Sequence, residues 1–249
     1  MHLACATRGE VGTVDPEFMQ GYDSVGEMRW GELTCAADVL GLTSVTHLGY
    51  RDSGMPGSPD NHHPQALAAA PVEEAAGKIV KLIRELRPQV VVTFDPIGGY
   101  RHPDHIAIHE ATVRAFEAAS DPARYPEAGL AYTPARLYYH TFPRGAIKWA
   151  VRLMPLFRQD PTHFGRNKDV DILSLAGVEF PITTIIRIGD YARVKAAAAA
   201  CHRSQLSSLP VDSILLRWML RLAGNKETFM RARPPFAGGP RESDLFAGI

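Results

Sequence analysis

A run of five apolar and β-branched residues, Val90 to Phe94, constrains the fold most strongly. The run lacks polar alternation, which is typical of a parallel strand covered on both faces. Before it, residues 71–87 place apolar side chains at helical spacing, with acidic residues near the start and Pro88 closing the segment. After it, a loop with two glycines leads into a second helical segment, from about residue 104 to 119. This order of elements predicts a doubly wound α/β sheet.

The same patterns predict further elements along the chain. Strands are predicted at residues 2–7, 45–49, 136–142 and 183–188, and helices at residues 25–40, 191–205 and 214–223. Residues 143–180 lack a clear period and carry many charged side chains, so we expect an insertion or flap there. Because neither a repeat nor a low-complexity linker divides the chain, we expect one domain over residues 1–249.

Charge and hydropathy exclude two classes of partner. The 27 Lys and Arg residues cancel the 27 Asp and Glu residues, so the chain has no net field that would attract nucleic acid or an anionic membrane. No window approaches the roughly 18 uninterrupted apolar residues that a membrane helix needs. We therefore expect no nucleic-acid partner and no membrane partner.

Three cysteines, Cys5, Cys35 and Cys201, lie far apart and form no C-x-x-C pair. This spacing predicts neither a disulfide framework nor a thiolate zinc site, and it fits a reducing cytoplasm best. The first residues contain no basic segment followed by a long apolar one, as a secretory signal would. We expect a cytoplasmic protein, and the sequence leaves a homo-oligomer open.

The loop after the central strand concentrates the groups that can do chemistry. Ligands of open α/β sheets bind outside the carboxyl ends of the strands, where residues 95–105 fall. There His102, Asp104 and His105 bring two imidazoles and a carboxylate into four residues, which indicates a metal or acid–base site. The alternative is structural, with Asp104 as a helix N-cap, Pro103 as the first helical residue and the histidines as ordinary loop groups.

Residues 98–105, Gly-Gly-Tyr-Arg-His-Pro-Asp-His, resemble the second signature of the PIG-L/LmbE-like zinc-dependent N-acetylglucosaminyl deacetylases. This family includes the mycothiol and bacillithiol biosynthetic deacetylases. Supporting similarity follows in the family's order at residues 7–12, 29–33, 48–55, 202–205 and 227–229. The resemblance implies a three-layer αβα, Rossmann-like fold with a mostly parallel sheet. It also implies a zinc-dependent hydrolase that removes the N-acetyl group from an N-acetylglucosamine-containing small molecule, a glycoside or an amino-sugar conjugate.

Transferred residue by residue, the resemblance makes His105 a zinc ligand. It makes His102 the group that polarises the substrate carbonyl or protonates the departing amine, with Asp104 orienting a histidine. Tyr100 would lie over the substrate and help hold the oxyanion. These roles match the needs of amide hydrolysis, which are an activated water, a stabiliser for the oxyanion and an acid for the amine.

The resemblance further implies that Arg29 and Asp52 bind hydroxyls of the sugar or its aglycone. Each of these residues also has a structural explanation. Arg29 would then be a solvated helix charge, Asp52 a turn residue and Tyr100 a loop aromatic that covers apolar surface.

The resemblance departs from the family pattern at the N-terminal end. Family members begin with a strand and a His-Pro-Asp-Asp-Glu motif, which supplies a zinc-binding histidine, a zinc-binding aspartate and the aspartate general base. The 249 residues contain no such motif, so His105 is the one zinc ligand of three that they offer. We therefore expect an N-terminal βα unit of about 30 residues to be missing before Met1.

Two functions stay open on this basis. One is a deacetylase that is inactive as this chain stands, because the zinc ligands and the base are incomplete. The other is a catalytically dead relative that binds a sugar or regulates another protein.

Overall fold

The structure is a computed structural model that describes residues 1–143, 145, 148, 151–152, 154, 160–163, 171–206 and 225–249. Its contacts divide the chain into two compact units, Met1–Ala70 with Ile188–Lys226 and Pro71–Arg187 with Glu227–Ile249. The predicted helix at residues 214–223 lies outside the described residues, as does much of the predicted flap at residues 143–180. The organisation as one functional domain stays a prediction.

Most predicted elements are present with small changes at their ends. Within the described residues the strands and helices are, in chain order, β1 (His2–Cys5), α1 (Val25–Val39), β2 (Ser44–His47), α2 (Val72–Leu86), β3 (Val90–Phe94), α3 (Gly98–Arg101), α4 (Pro103–Ala118), β4 (Arg136–Thr141), α5 (Ile172–Ala176), β5 (Thr184–Arg187), α6 (Ala192–Cys201), α7 (Arg203–Leu206) and β6 (Lys226–Arg233). None of these helices combines the length and the apolar character that crossing a bilayer requires.

The first unit contains a parallel pair of strands, β1 and β2, connected through α1. Ser24 is the N-cap of helix α1, and its hydroxyl accepts the backbone N–H of Glu27. The Glu27 carboxylate in turn accepts the backbone N–H of Asp23. The side chains of Ser24 and Glu27 therefore each satisfy a backbone N–H group near the start of the helix. This reciprocal cap explains why the helix begins where it does.

A disulfide joins Cys35 of α1 to Cys201 at the end of α6, within the first unit. The prediction that the cysteines form no disulfide is therefore wrong. The two cysteines are 166 residues apart in sequence and meet because α1 packs against α6, so local spacing could not reveal the pair. Cys5 is a free thiol.

The second unit contains a four-stranded sheet in the order β3, β4, β6, β5. Strands β3 and β4 are parallel, with Phe94 opposite His140, and β6 runs antiparallel to β4. Helices α2 and α4 pack together through buried faces rich in alanine and aliphatic residues, and α4 also contacts β3. Parallel strand pairs connected through helices, present in both units, confirm the predicted α/β class.

Strand β6 was not among the predicted strands, because charged residues interrupt its apolar ones. Carboxylates outside the strand neutralise two of these charges. Arg231 lies 2.6 Å from Glu242, and Arg233 lies 2.9 Å from Glu117. The strand therefore depends on partners that the local sequence does not contain.

Candidate active site

The loop between β3 and α4 is organised by Asp95, a fully buried residue directly after β3. Its Oδ1 accepts the backbone N–H of Ile97 at 3.2 Å and that of Gly99 at 2.8 Å. Gly98 and Gly99 have φ values of 62° and 71°, a conformation that favours glycine. The chain therefore turns sharply after the strand and reaches His102 within a few residues.

His102 is the N-cap of helix α4, which begins at Pro103. The Nδ1 atom of His102 accepts the backbone N–H of Asp104 at 3.2 Å, and Pro103 occupies the first helical position. The structural alternative with Asp104 as the N-cap is therefore wrong, because the imidazole takes that place. The Asp104 carboxylate is buried, and its Oδ2 lies 4.0 Å from the same nitrogen.

His105 is held in a different tautomer from His102. Its Nδ1 lies 3.1 Å from the carbonyl oxygen of Gly98, and its ring stacks on Phe94 with centroids 3.9 Å apart. Since a carbonyl oxygen can only accept, Nδ1 carries the hydrogen and the ring's lone pair lies on Nε2. A neutral imidazole in this form can bind a metal through Nε2.

The two rings therefore have complementary hydrogen-bonding roles. In His102 the Nδ1 atom accepts a hydrogen bond from the backbone N–H of Asp104, so the hydrogen of the neutral ring lies on Nε2. The ring centroids of His102 and His105 are 4.9 Å apart. His105 thus offers a lone pair at Nε2, and His102 offers an N–H donor at Nε2.

Tyr100 completes this cluster. Its ring meets those of His102 and His105 edge-on, with centroid distances of 5.8 Å and 5.1 Å, and 39% of the residue is exposed. The structure therefore brings together Tyr100, His102, Asp104 and His105, as the sequence predicts. Their catalytic and metal-binding roles stay predictions.

His109, one turn further along α4, supports the cluster from the interior. It is buried, its Nδ1 donates to the carbonyl of Phe94 at 2.7 Å, and its ring meets Tyr139 edge-on. Burial lowers the pKa of His109 below its ordinary value of 6.5, and the hydrogen bond to Phe94 opposes part of that change. The lowered pKa favours the neutral form of this histidine, and its hydrogen bond to Phe94 fixes the end of β3.

Sequence reasoning missed two further polar residues of the second unit near these strand ends. Asp95 holds the loop, and an acidic residue directly after a buried strand is the signal that could have found it. His140 lies opposite Phe94 in the sheet, and its Nε2 is 3.1 Å from Oε2 of Glu227. No local pattern links His140 to Glu227, because the two belong to antiparallel strands 87 residues apart.

Arg29 and Asp52, the predicted sugar-binding residues, both contact the loop at residues 9–12 in the first unit. Arg29 donates to the carbonyl of Gly9 at 3.0 Å, and its guanidinium fills the space beside Gly12, where a Cβ would lie 2.2 Å from Nη1. Asp52 is buried and accepts the backbone N–H of Val11 at 3.2 Å. Both residues organise this loop, and their binding of hydroxyls stays a prediction.

The hydrogen bonding of His105 suits a zinc ligand, because Nδ1 is bound to the Gly98 carbonyl and Nε2 is left for the metal. A zinc-binding histidine almost always donates its other ring N–H to a carboxylate, a backbone carbonyl or water, and the contact with Gly98 is of this kind. When bound, zinc lowers the pKa of water to about 7 and polarises a carbonyl.

Among solved structures, the N,N'-diacetylchitobiose deacetylase from Pyrococcus horikoshii resembles this chain with a TM-score of 0.59 and 19% sequence identity. The match covers 92% of this chain and 72% of that one. At this level of identity the similarity shows a shared α/β fold and says nothing by itself about the reaction.

Sequence comparison is more specific. Residues 1–116 match the family model PIG-L, described as GlcNAc-PI de-N-acetylase. The 1D-myo-inositol 2-acetamido-2-deoxy-alpha-D-glucopyranoside deacetylase of Streptomyces avermitilis is 38% identical, over 99% of this chain and 86% of its own length. The relative of the same name from Thermomonospora curvata is 40% identical, also over 99% of this chain and 86% of its own length. The chain belongs to the PIG-L family of deacetylases, as its resemblance implied.

Proposed function

We propose that this protein acts in the hydrolysis of the N-acetyl group of an N-acetylglucosamine-containing small molecule. The observation that carries the proposal is the opposite tautomers of His105 and His102, because one suits a metal ligand and the other a hydrogen-bond donor to the substrate. The names of the relatives support a GlcNAc–inositol glycoside as the substrate. The balanced charge of the chain agrees with an uncharged sugar.

The proposed chemistry follows from the atoms that each residue presents. In the reaction a water oxygen bonds to the acetamide carbon, the C–N bond breaks, and acetate and a free amine are released. The Nε2–H of His102 donates to the carbonyl oxygen as negative charge develops there, with Tyr100 as the second donor. The leaving nitrogen takes up a proton that the attacking water releases, and in the alternative role that the resemblance implies His102 relays this proton.

His105 would hold zinc through Nε2, while its Nδ1–H bond to Gly98 fixes the direction of the ring. Asp104 is a positioning residue in this scheme, because its backbone N–H keeps Nδ1 of His102 in the accepting form. Arg29 and Asp52 would bind hydroxyls of the sugar or the inositol. We propose a cytoplasmic protein in which residues 1–249 act as one domain and residues 143–180 serve as a flap.

A second part of the proposal concerns whether the 249-residue chain is itself active. Among the family's three zinc ligands this sequence contains His105, and a lone imidazole does not define an open tetrahedral site. We propose that the 249-residue chain alone binds zinc weakly and is inactive. This same observation favours the second candidate, a sugar-binding relative without catalysis.

An assay of amine release with fluorescamine separates the two functions. The substrate is 1D-myo-inositol 2-acetamido-2-deoxy-α-D-glucopyranoside with added Zn²⁺. The chain is tested as it stands and with a family-type strand and His-Pro-Asp-Asp-Glu segment fused before Met1. The deacetylase proposal expects amine release by the fused form and none above background by the unfused form.

The variants His102→Ala and Tyr100→Phe in the fused form test the assigned roles. We expect His102→Ala to lose turnover while retaining zinc, and Tyr100→Phe to lower kcat with little change in KM. Calorimetry that shows sugar binding by a fused form that contains zinc yet never releases amine would support the sugar-binding alternative. Amine release by the unfused form would contradict the proposal of inactivity.

A further inference from the structure

The Cys35–Cys201 disulfide includes an exposed cysteine, although it connects two packed helices. Cys35 lies on the exposed face of α1, and Cys201 is half-buried at the end of α6. Disulfides that serve only to cross-link are typically resistant to reduction, whereas exposed ones exchange readily with thiols. The position of this disulfide therefore permits exchange with thiols as well as cross-linking of the two helices.

The disulfide also lines a cavity in the first unit. The cavity has a volume of about 590 Å³, within the range of small-molecule sites. Its wall includes both cysteines together with Tyr22, Glu32 and Arg203. A small molecule that enters the cavity therefore lies beside both cysteines.

The helices on either side of the disulfide have a second connection. The Glu32 carboxylate of α1 accepts the backbone N–H of Ser204 at 2.7 Å and its hydroxyl at 2.8 Å, and Ser204 is buried. We expect this pair of hydrogen bonds to remain when the disulfide opens, because neither bond involves a cysteine. The bond can therefore break without separating α1 from the segment that follows α6.

The cavity also contains a cation. Arg203 lies two residues after Cys201 and lines the same cavity. A guanidinium close to a cysteine favours its thiolate, and a stabilised thiolate is a better leaving group in disulfide exchange. The more exposed Cys35 is thus the sulfur that an incoming thiol reaches, and Cys201 is the sulfur that leaves.

We propose that Cys35–Cys201 is a thiol-exchange site that accepts small aliphatic thiols from the cavity. The thiolate of the incoming molecule attacks Sγ of Cys35, the S–S bond breaks, and Cys201 leaves as a thiolate that takes up a proton. A second thiol attacks the mixed disulfide, releases Cys35 as a thiol and forms the disulfide of the small molecule. Two thiols are oxidised for each protein disulfide reduced. This inference does not depend on the deacetylase proposal.

The test exposes the folded chain to L-cysteine at about pH 8, quenches with N-ethylmaleimide and maps the adducts by peptide mass spectrometry. We expect a cysteinyl adduct on Cys35 in the native protein, with Cys201 alkylated. Cys5 serves as an internal reference thiol, because burial raises its pKa and slows its reaction. An adduct confined to Cys201, or exchange only after unfolding in urea, would overturn the proposal.

Two variants test the role of Arg203. Arg203→Gln should slow exchange by roughly fivefold, and Arg203→Lys should restore most of the rate because the positive charge is kept. Equal rates in all three proteins would contradict the assigned leaving group. Circular dichroism of the reduced chain should show retained helix, since the Glu32–Ser204 contact persists, and loss of helix on reduction would show a purely structural cross-link.

Discussion

The Nδ1–H of His105 donates to the carbonyl of Gly98 at 3.1 Å, across the turn that connects β3 to α4. This bond makes the orientation of one imidazole depend on a backbone position seven residues earlier. The turn is itself held by Asp95, which binds two of its N–H groups. The orientation of the His105 ring is therefore set by backbone conformation as much as by side-chain identity.

A Gly98→Ala substitution should damage both the turn and the site. Gly98 has a φ of 62°, and a Cβ there would lie 2.7 Å from Cβ of His105 and 2.8 Å from the backbone nitrogen of Ile106. The left-handed conformation alone costs an alanine about 1–2 kcal/mol, and the clash adds to it. We expect a lower midpoint of urea unfolding and weaker zinc binding.

Gly41→Ala is the matched control for this substitution. Gly41 has a φ of 66°, and a Cβ added there would meet no atom within 4 Å, so it carries the conformational cost without the clash. The loss of unfolding free energy should be roughly twice as large for Gly98→Ala as for Gly41→Ala. Equal losses would show that His105 and Ile106 do not restrict the turn.

His109 should make the stability of the fold depend on pH. Because burial lowers its pKa in the folded state, the unfolded chain binds a proton at His109 near pH 6.5 while the folded chain does not. The free energy of unfolding should therefore fall as the pH decreases below about 6.5. The contribution of this residue is fully present above that pH.

His109→Asn isolates this effect, since the amide nitrogen of asparagine can replace Nδ1 as the donor to Phe94. Urea unfolding at about pH 7.5 and about pH 5.5 should show a smaller pH dependence in the variant than in the unsubstituted chain. Parallel losses of stability in the two proteins would indicate that His109 does not remain neutral when folded.

Arg84 should be among the strongest single contributors to the stability of the second unit. It is 5% exposed, and its guanidinium donates to backbone carbonyls at and after the end of α4. The six acceptors are Ala118, Ala119, Asp121, Arg124, Tyr125 and Gly129. Arg84→Lys keeps the charge but loses the planar fork, so we expect a loss of about 3 kcal/mol in urea unfolding.

Arg114→Lys is the control for Arg84→Lys. Arg114 is half exposed and pairs with Glu73 at the surface, so its replacement should leave the unfolding midpoint unchanged. If the two lysine variants unfold at the same urea concentration, the network around Arg84 does not support the fold as described.

Local patterns predict much of this fold. The β-branched run at Val90–Phe94 and the helical spacing on either side of it are properties of adjacent residues, and these elements occur where expected. The cluster of Tyr100, His102, Asp104 and His105 was likewise predictable, because the four residues follow one strand and lie within one loop and helix start. Short-range spacing is enough to place such groups together.

Other features depend on residues that are distant in sequence. The Cys35–Cys201 disulfide, the pairing of His140 with Glu227 and the hydrogen bonds of Arg84 form only after helices and strands have packed. Strand β6 belongs to the same group, since Glu242 and Glu117 neutralise its arginines. Local periodicity contains no information about these partners.

The most direct test of the metal assignment measures zinc affinity by competition with a chromophoric chelator in three forms of the 249-residue chain. We predict weak binding by the unsubstituted chain, at least about tenfold weaker binding by His105→Ala, and little change in His102→Ala. Equal melting temperatures would show that all three are folded. Equal loss of zinc in both variants, or no loss in His105→Ala, would contradict the assignment of His105 as the metal ligand and His102 as the donor to substrate.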